Sequence, residues 1–195
     1  MKPFPVNLSL SAGGFILGAL MFLILPLRLL ASMLISAFIH ECAHLLALRI
    51  FRVPVHAVHI HGSGALIQTS PMTPPTELLC ALAGPAGSLL CLLFARWFPL
   101  LALCALVQGV FNLLPLYPLD GGRAFRCAAT LIFPRRAGLL STLAGLLTVC
   151  SICGCFAFLF LRTLDGFFLL ACISFLLKIC HPRKTPCKDG AHWVQ

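Results

Sequence analysis

Charged side chains are scarce in this chain, and acidic ones are almost absent. Only 10% of its 195 residues are charged and just five are Asp or Glu, whereas a typical soluble domain carries about 25% charged residues. Hydrophobic residues make up 60% of the chain, and the mean hydropathy is +1.02. A water-soluble domain is therefore excluded, and the length predicts one membrane-embedded domain over residues 1–195.

No cluster of basic residues accompanies the net charge of +9, because the 14 Lys and Arg residues fall between apolar runs. This scatter argues against a nucleic-acid partner, and we expect none. The 11 cysteines are scattered as well, mostly inside apolar segments. That pattern is typical of small core side chains and not of a disulfide framework.

Six apolar runs predict membrane-crossing helices through a hydrocarbon core of about 30 Å. Four contain no charge, the second contains ionisable residues, and the sixth is short and begins beside Asp165. The predicted spans are residues 8–27, 29–48, 78–95, 97–119, 137–161 and 164–177. We therefore expect an all-α polytopic membrane protein with about six transmembrane helices.

Basic residues also predict how these helices are oriented. With the N-terminus in the cytoplasm, eleven of the 14 basic residues lie on the cytoplasmic side, against Arg28, Arg96 and Arg162 outside. Because positive charge in short loops favours the cytoplasmic side, we expect both termini there. The basic tail at 178–195 is then expected to meet anionic headgroups of the lipid bilayer.

The second predicted span contains the sequence His40-Glu41-Cys42-Ala43-His44. Residues four apart share one face of a helix, so the two histidines can offer ring nitrogens to one metal ion. Glu41 lies about 100° around the helix from His40, where it can face a metal-bound water. The alternatives are a stack of polar core residues or a chance match, but three ionisable groups within a membrane are costly without a metal.

Two histidines leave a catalytic zinc site short of one protein ligand, which a carboxylate can supply. Glu77 and Asp120 both lie at predicted cytoplasmic helix ends, whereas Asp165 and Asp189 lie elsewhere. Depth in the membrane therefore leaves Glu77 and Asp120 as the two candidates.

Residues that interrupt helices surround Asp120 and favour it over Glu77. Proline breaks a helix and glycine removes side-chain bulk, so the backbone can bend and press Asp120 toward a neighbour. The alternative is an ordinary helix end, with Asp120 paired to Arg123. The interrupting residues are Pro115, Pro118, Gly121 and Gly122.

These two motifs resemble those of the site-2 proteases, intramembrane zinc metalloproteases that cut membrane-anchored proteins. The family's His-Glu-x-x-His pattern is found at residues 40–44, and its Asn-x-x-Pro-x-x-x-x-Asp-Gly pattern at residues 112–121. The resemblance implies that Asn112 polarises the scissile carbonyl or holds the substrate backbone, and that Glu41 is the catalytic base. It also implies one zinc ion per chain with three ligands, namely His40, His44 and Asp120.

The resemblance extends over a three-helix catalytic core at about residues 29–125, with accessory helices at 8–27, 137–161 and 164–177. Small residues at 83–87 are similar to the glycine-proline segment of the family's middle core helix. The compact layout without a PDZ-like insert is most similar to the sporulation-type branch, which processes a membrane-tethered sigma-factor precursor. It implies a bacterial plasma or forespore membrane, and regulatory membrane proteins as further partners.

The first part of the segment 53–68 alternates in polarity from Val58 to His61 before Gly62-Ser63-Gly64, which predicts a short β-hairpin. In the family this region is similar to a re-entrant β element, and we expect an exposed edge that pairs with an unwound substrate segment. His56, His59 and His61 in this segment have three interpretations. They are loop histidines in contact with water, contributors to a substrate groove, or ligands of a second metal.

Two functions compete with proteolysis. A membrane metal transporter or sensor would also use intramembrane ligands, but it gives no reason for Glu41 or for the proline-broken segment. A catalytically silent homologue that only binds membrane proteins is the other alternative, although none of the expected catalytic residues is missing.

Overall fold

A computed structural model describes residues 7–10, 22–61, 64–163 and 192–194 of the chain. Within these residues the fold is mostly helical. A 3₁₀ turn, Cys91–Phe94, extends the second helix. The helices are α1 Leu27–Ile50, α2 Pro74–Leu90, α3 Pro99–Asn112, α4 Asp120–Ile132 and α5 Ala137–Thr163.

Three helical stretches are long and apolar enough to cross a membrane, namely Leu27–Ile50, Pro74–Phe94 and Ala137–Leu159. They fall on the second, third and fifth predicted spans. Large apolar side chains point outward from them, as expected for surfaces in contact with lipid: Phe38 is 69% exposed and Leu93 is 71% exposed.

The fourth predicted span, residues 97–119, contains a shorter helix than expected, because α3 ends at Asn112. Pro115 has no backbone N–H, and its ring would clash with the carbonyl four residues earlier, so the helix ends before it. Residues 8–10 of the first predicted span lie in a strand, and 11–21 are outside the described residues. The sixth span, 164–177, lies outside them entirely.

Helices α1, α2 and α3 pack against one another, α4 packs on α2, and α5 packs on α4. Small residues allow the close crossings. A Cβ added to Gly87 would lie 2.5 Å from Ala43 Cβ, and one added to Gly109 would lie 3.2 Å from Ser88 Cβ. The small residues expected at 83–87 therefore bring α2 against α1, as the sequence predicted.

A four-stranded sheet in the order β1-β2-β3-β4 lies beside these helices. The antiparallel pair β2–β3 confirms a hairpin within residues 53–68, with His61 paired to Gly64. Its re-entry into the membrane stays a prediction. The strands are β1 Asn7–Leu10, β2 Val55–His61, β3 Gly64–Thr69 and β4 His192–Val194.

The expectation of an exposed hairpin edge is wrong, since strands from both ends of the chain cover it. β1 runs parallel to β2, and β4 runs antiparallel to β3. These pairings satisfy backbone N–H and C=O groups that an open edge would leave without partners. On β3, Ile67 packs into a buried cluster with Leu48 and Cys80, which anchors the sheet beside the ends of α1 and α2.

Candidate metal centre

Two buried histidines face inward from the middle of α1. His40 and His44 are 3% and 0% exposed, and their Nε2 atoms lie 3.3 Å apart. Their four-residue spacing places both rings on the same face of the helix, as the sequence predicted.

Asp120 reaches these histidines from the first position of α4. The chain leaves α3 at Asn112 and folds back over the start of α4, so a Cβ on Gly121 would overlap the backbone of Leu113. A Cβ on Gly122 would lie 2.5 Å from the Leu116 carbonyl carbon. The two glycines therefore permit the tight turn that directs Asp120 into the bundle.

The Asp120 carboxylate contacts both histidines through one oxygen. Oδ2 lies 3.0 Å from His40 Nε2 and 3.2 Å from His44 Nε2. Glu77, the other candidate for a third ligand, instead accepts a hydrogen bond from Arg123 Nη2 at 3.3 Å. The Arg123 guanidinium, which the alternative paired with Asp120, forms this ion pair with Glu77 of α2.

The far sides of both imidazole rings are held by α2. His44 Nδ1 donates a hydrogen bond to the carbonyl oxygen of Cys80 at 2.8 Å, since a carbonyl can only accept. His40 Nδ1 lies 2.9 Å from the Ser88 hydroxyl. Sequence reasoning missed both partners: a backbone carbonyl has no sequence signature, and Ser88 is a lone polar residue in an apolar run.

A cation fits this arrangement for two reasons. His44 Nδ1 donates to the Cys80 carbonyl, so in the neutral ring, the form that binds metals, Nε2 carries the free lone pair on the side of Asp120. In addition, donor atoms bound to tetrahedral zinc at about 2.0–2.1 Å lie about 3.3 Å from one another. The separations of 3.0, 3.2 and 3.3 Å among the Nε2 and Oδ2 atoms match that spacing.

The second carboxylate oxygen of Asp120 supports the same conclusion. Oδ1 is buried and accepts no hydrogen bond from any residue that the structure describes. A buried charged oxygen without a donor is costly, and a bound cation compensates for it. In the described part of the chain, His40, His44 and Asp120 are the one group of three whose ligand atoms converge, all within 4.8 Å of one another.

The two predicted catalytic side chains lie beside this group. Asn112, at the end of α3, places Nδ2 3.4 Å from His40 Nε2. Glu41 is half-buried, and its carboxylate lies within electrostatic reach of His44. Gly84 of α2 packs on the face of the His44 ring, where a Cβ would overlap Nε2. The structure thus brings together all five residues that the sequence singled out, and their roles stay predictions.

The other histidines do not join this group. His56 is exposed, and its Nε2 lies 3.0 Å from the Ser70 hydroxyl. The side chains of His59 and His61 lie outside the described residues. A second metal site in the hairpin therefore stays a prediction.

Glu77 of α2 forms a polar cluster with Arg123 and Cys127 of α4. Burial raises the pKa of the Cys127 thiol to about 11, and the neighbouring Glu77 carboxylate adds to this rise by repelling a thiolate. Along the chain, Arg123 lies three residues after Asp120 and four residues before Cys127.

Comparison with known proteins identifies the fold. No protein-family model matches the chain, and no curated protein matches it either. Among solved structures, it is similar to the site-2 protease from Methanocaldococcus jannaschii, with 18% sequence identity and a TM-score of 0.64. The match covers 97% of this chain and 96% of that protein. The chain therefore has the fold of a site-2 protease.

Proposed function

We propose that this protein is an intramembrane zinc metalloprotease, which hydrolyses a peptide bond in or near the transmembrane segment of a membrane-tethered protein. The observation that carries the proposal is the convergence of His40 Nε2, His44 Nε2 and Asp120 Oδ2 in the buried interior of an apolar helical bundle. Purely structural polar contacts at such a position do not account for three ligand atoms at zinc-like spacing.

In this proposal His40, His44 and Asp120 hold one zinc ion. When bound, zinc supplies a Lewis acid and lowers the pKa of a water molecule toward neutrality. Cys80 and Ser88 hold the two imidazole rings in position, which lowers the reorganisation needed during each turnover.

Glu41 acts as the general base. It takes a proton from the attacking water as the new C–O bond forms at the scissile carbonyl carbon, and it delivers that proton to the amide nitrogen as the C–N bond breaks. The products are a carboxylic acid and an amine, so the step requires only water and the peptide. Asn112 donates a hydrogen bond to the carbonyl oxygen as negative charge develops there.

The substrate class follows from the surroundings of the site. The bundle presents apolar surface to the lipid, so a membrane-anchored protein is the natural partner. The cleaved segment of this partner must unwind first, because the carbonyl groups of a helix already accept hydrogen bonds within the helix.

Within this class we favour a sporulation-type protease that acts on a tethered transcription-factor precursor in a bacterial plasma or forespore membrane, under control of regulatory membrane proteins. The segment from Asn112 to Arg123 and the compact layout support this choice. The distribution of basic residues supports cytoplasmic termini.

The test is cleavage of single-span membrane peptides co-reconstituted with the full-length protein, with zinc counted by mass spectrometry in every preparation. Glu41→Gln should retain zinc and cut nothing, whereas Asp120→Ala should lose both zinc and activity. Cleavage by Glu41→Gln would refute the assigned base. If the wild type cuts no peptide yet moves zinc across the vesicle membrane, a metal transporter replaces the protease.

A further inference from the structure

Helix α3 carries two carboxamide side chains on an otherwise apolar surface. Gln108 and Asn112 are four residues apart, so they share one face of the helix. Neighbouring side chains such as Val107, which is 61% exposed, point outward. Polar groups at this depth are costly unless they have hydrogen-bond partners, so Gln108 requires an explanation of its own.

Ser36 of α1 fixes the orientation of the Gln108 carboxamide. The Ser36 hydroxyl is almost fully buried and donates a 2.6 Å hydrogen bond to Gln108 Oε1. This bond occupies the acceptor oxygen and leaves the NH₂ group of the same carboxamide as a donor. Within the described part of the chain the Gln108 side chain makes no other hydrogen bond, and it is only half-buried.

The Gln108 amide lies one helical turn from the metal centre. Ser36 precedes His40 by four residues on α1, and Gln108 precedes Asn112 by four residues on α3. The pair Ser36–Gln108 therefore repeats the pair His40–Asn112 one turn away. The two amide donors therefore lie along one face of α3, and Asn112 is the one beside the predicted metal ligands.

This spacing matches an extended peptide. Four residues of an α-helix rise by about 6 Å, and two residues of an extended chain advance by about 6.6–6.8 Å. Carbonyl groups of alternate residues point to the same edge of an extended chain. Donors at Gln108 and Asn112 can therefore meet two carbonyl oxygens two residues apart.

We propose that Gln108 is a substrate-binding residue that donates a hydrogen bond to the main-chain carbonyl two residues from the scissile bond, while Ser36 acts as its positioning residue. The proposal rests on the protease function and adds a main-chain subsite to it. Such a contact selects an unwound segment whatever its side chains are, because a carbonyl inside a helix already has a partner. The competing explanation is that Ser36 and Gln108 only hold α1 against α3.

The experiment uses the full-length protein in vesicles and a peptide substrate whose cleaved bond has been located. A second peptide tests the proposed acceptor, which is the main-chain carbonyl two residues from the cleaved bond. In this peptide an ester replaces the backbone amide that follows that carbonyl, so the carbonyl becomes a weaker hydrogen-bond acceptor. For the wild type, the ester should raise KM about five- to tenfold, the effect of losing one hydrogen bond. Gln108→Leu should raise KM for the normal peptide by a similar factor, with kcat and bound zinc unchanged.

The combination of the two changes decides between contact and packing. If the contact exists, the ester has no further effect on Gln108→Leu, because the hydrogen bond is already lost. Ser36→Ala should show a smaller rise in KM and remain sensitive to the ester. Two controls are Val107→Leu and a peptide with its ester one residue away. The effect of each on KM should be independent of Gln108→Leu.

Two results would overturn the subsite. One is the same ester effect in Gln108→Leu as in the wild type. The other is an equal loss of thermal stability in Ser36→Ala and Gln108→Leu with KM unchanged. In both cases the wild type still cleaves and holds zinc, so the protease function stands. A wild type that holds no zinc and cuts no peptide refutes both proposals together.

Discussion

Arg123 Nη2 donates a hydrogen bond to Glu77 Oε1 across 3.3 Å, and this ion pair joins the first turns of α4 and α2. Asp120, a predicted ligand, lies three residues before Arg123, and Cys80, whose carbonyl holds His44, lies three residues after Glu77. The ion pair therefore connects the start of α4, which carries Asp120, with the start of α2, which carries the Cys80 carbonyl that holds His44.

Removal of either side chain of this ion pair should destabilise the protein, and Glu77→Gln should cost more than Arg123→Met. Arg123 is 5% exposed and Glu77 is 29% exposed, so Glu77→Gln takes a carboxylate from a buried guanidinium, while Arg123→Met leaves a carboxylate that water can reach. We expect Glu77→Gln to lower the free energy of unfolding by about 1–2 kcal/mol, less than the cost for a fully buried pair. Thermal unfolding in detergent measures this. A variant with both Glu77→Gln and Arg123→Met should be more stable than Glu77→Gln alone. The opposite order would contradict the unequal roles of the two side chains.

Gly84→Ala should disable the metal centre by steric overlap. The added methyl group would fall on the imidazole of His44, so the ring must leave its position. We expect at least a tenfold loss of zinc affinity and a loss of about 1–3 kcal/mol in stability. Zinc competition with a fluorescent chelator measures the affinity. Gly138→Ala is the matched control, since the structure shows nothing within 4 Å of its added Cβ, and zinc binding should not change.

Ser88→Ala should weaken metal binding without removing a ligand. The hydroxyl lies 2.9 Å from His40 Nδ1 and holds the ring so that Nε2 faces Asp120. Loss of such an outer partner typically costs about 10–100-fold in metal affinity, which the same zinc competition would detect. Ser151→Ala, whose exposed hydroxyl donates to Leu147 within its own helix, is the control. Equal affinities in the two variants would show that Ser88 does not orient His40.

Cys127 should resist alkylation at neutral pH. Burial and then Glu77 raise its thiol pKa to about 11, whereas an ordinary thiol titrates near about 8.5. Because only the thiolate reacts, its rate with iodoacetamide should rise about tenfold per pH unit and level off only near pH 11. Peptide mass spectrometry measures this rate for Cys127 in the intact protein, with denatured protein as the control.

The same shift has a consequence for stability. The folded-state pKa of Cys127 lies above the unfolded value, so its contribution to stability is fully present below about pH 8.5 and is lost as the pH rises toward 11. Glu77→Gln should lower the thiol pKa and weaken this dependence. A thiol that levels off near pH 9 in the folded protein would contradict the assignment.

The sequence by itself singled out the residues that the structure brings together at the candidate metal centre. The four-residue spacing of His40 and His44 places them on one helix face in any bundle, because helical periodicity is a local property. The glycines after Asp120 likewise predicted a close backbone approach, and the structure has it at Gly121 and Gly122. Apolar runs also predicted the three helices that are long and apolar enough to cross a membrane, for the same local reason.

Only the tertiary structure decided which partners these residues meet. Depth left Glu77 and Asp120 as candidates, and the interrupted segment only favoured Asp120. The packing of α4 on α2 places Asp120 at the histidines and Glu77 at Arg123. The support from Ser88 and the Cys80 carbonyl, the strands on both hairpin edges and the contact of Ser36 with Gln108 were equally hidden. Such contacts join residues far apart in the chain, and periodicity determines the face of a helix but not the neighbour that packs on it.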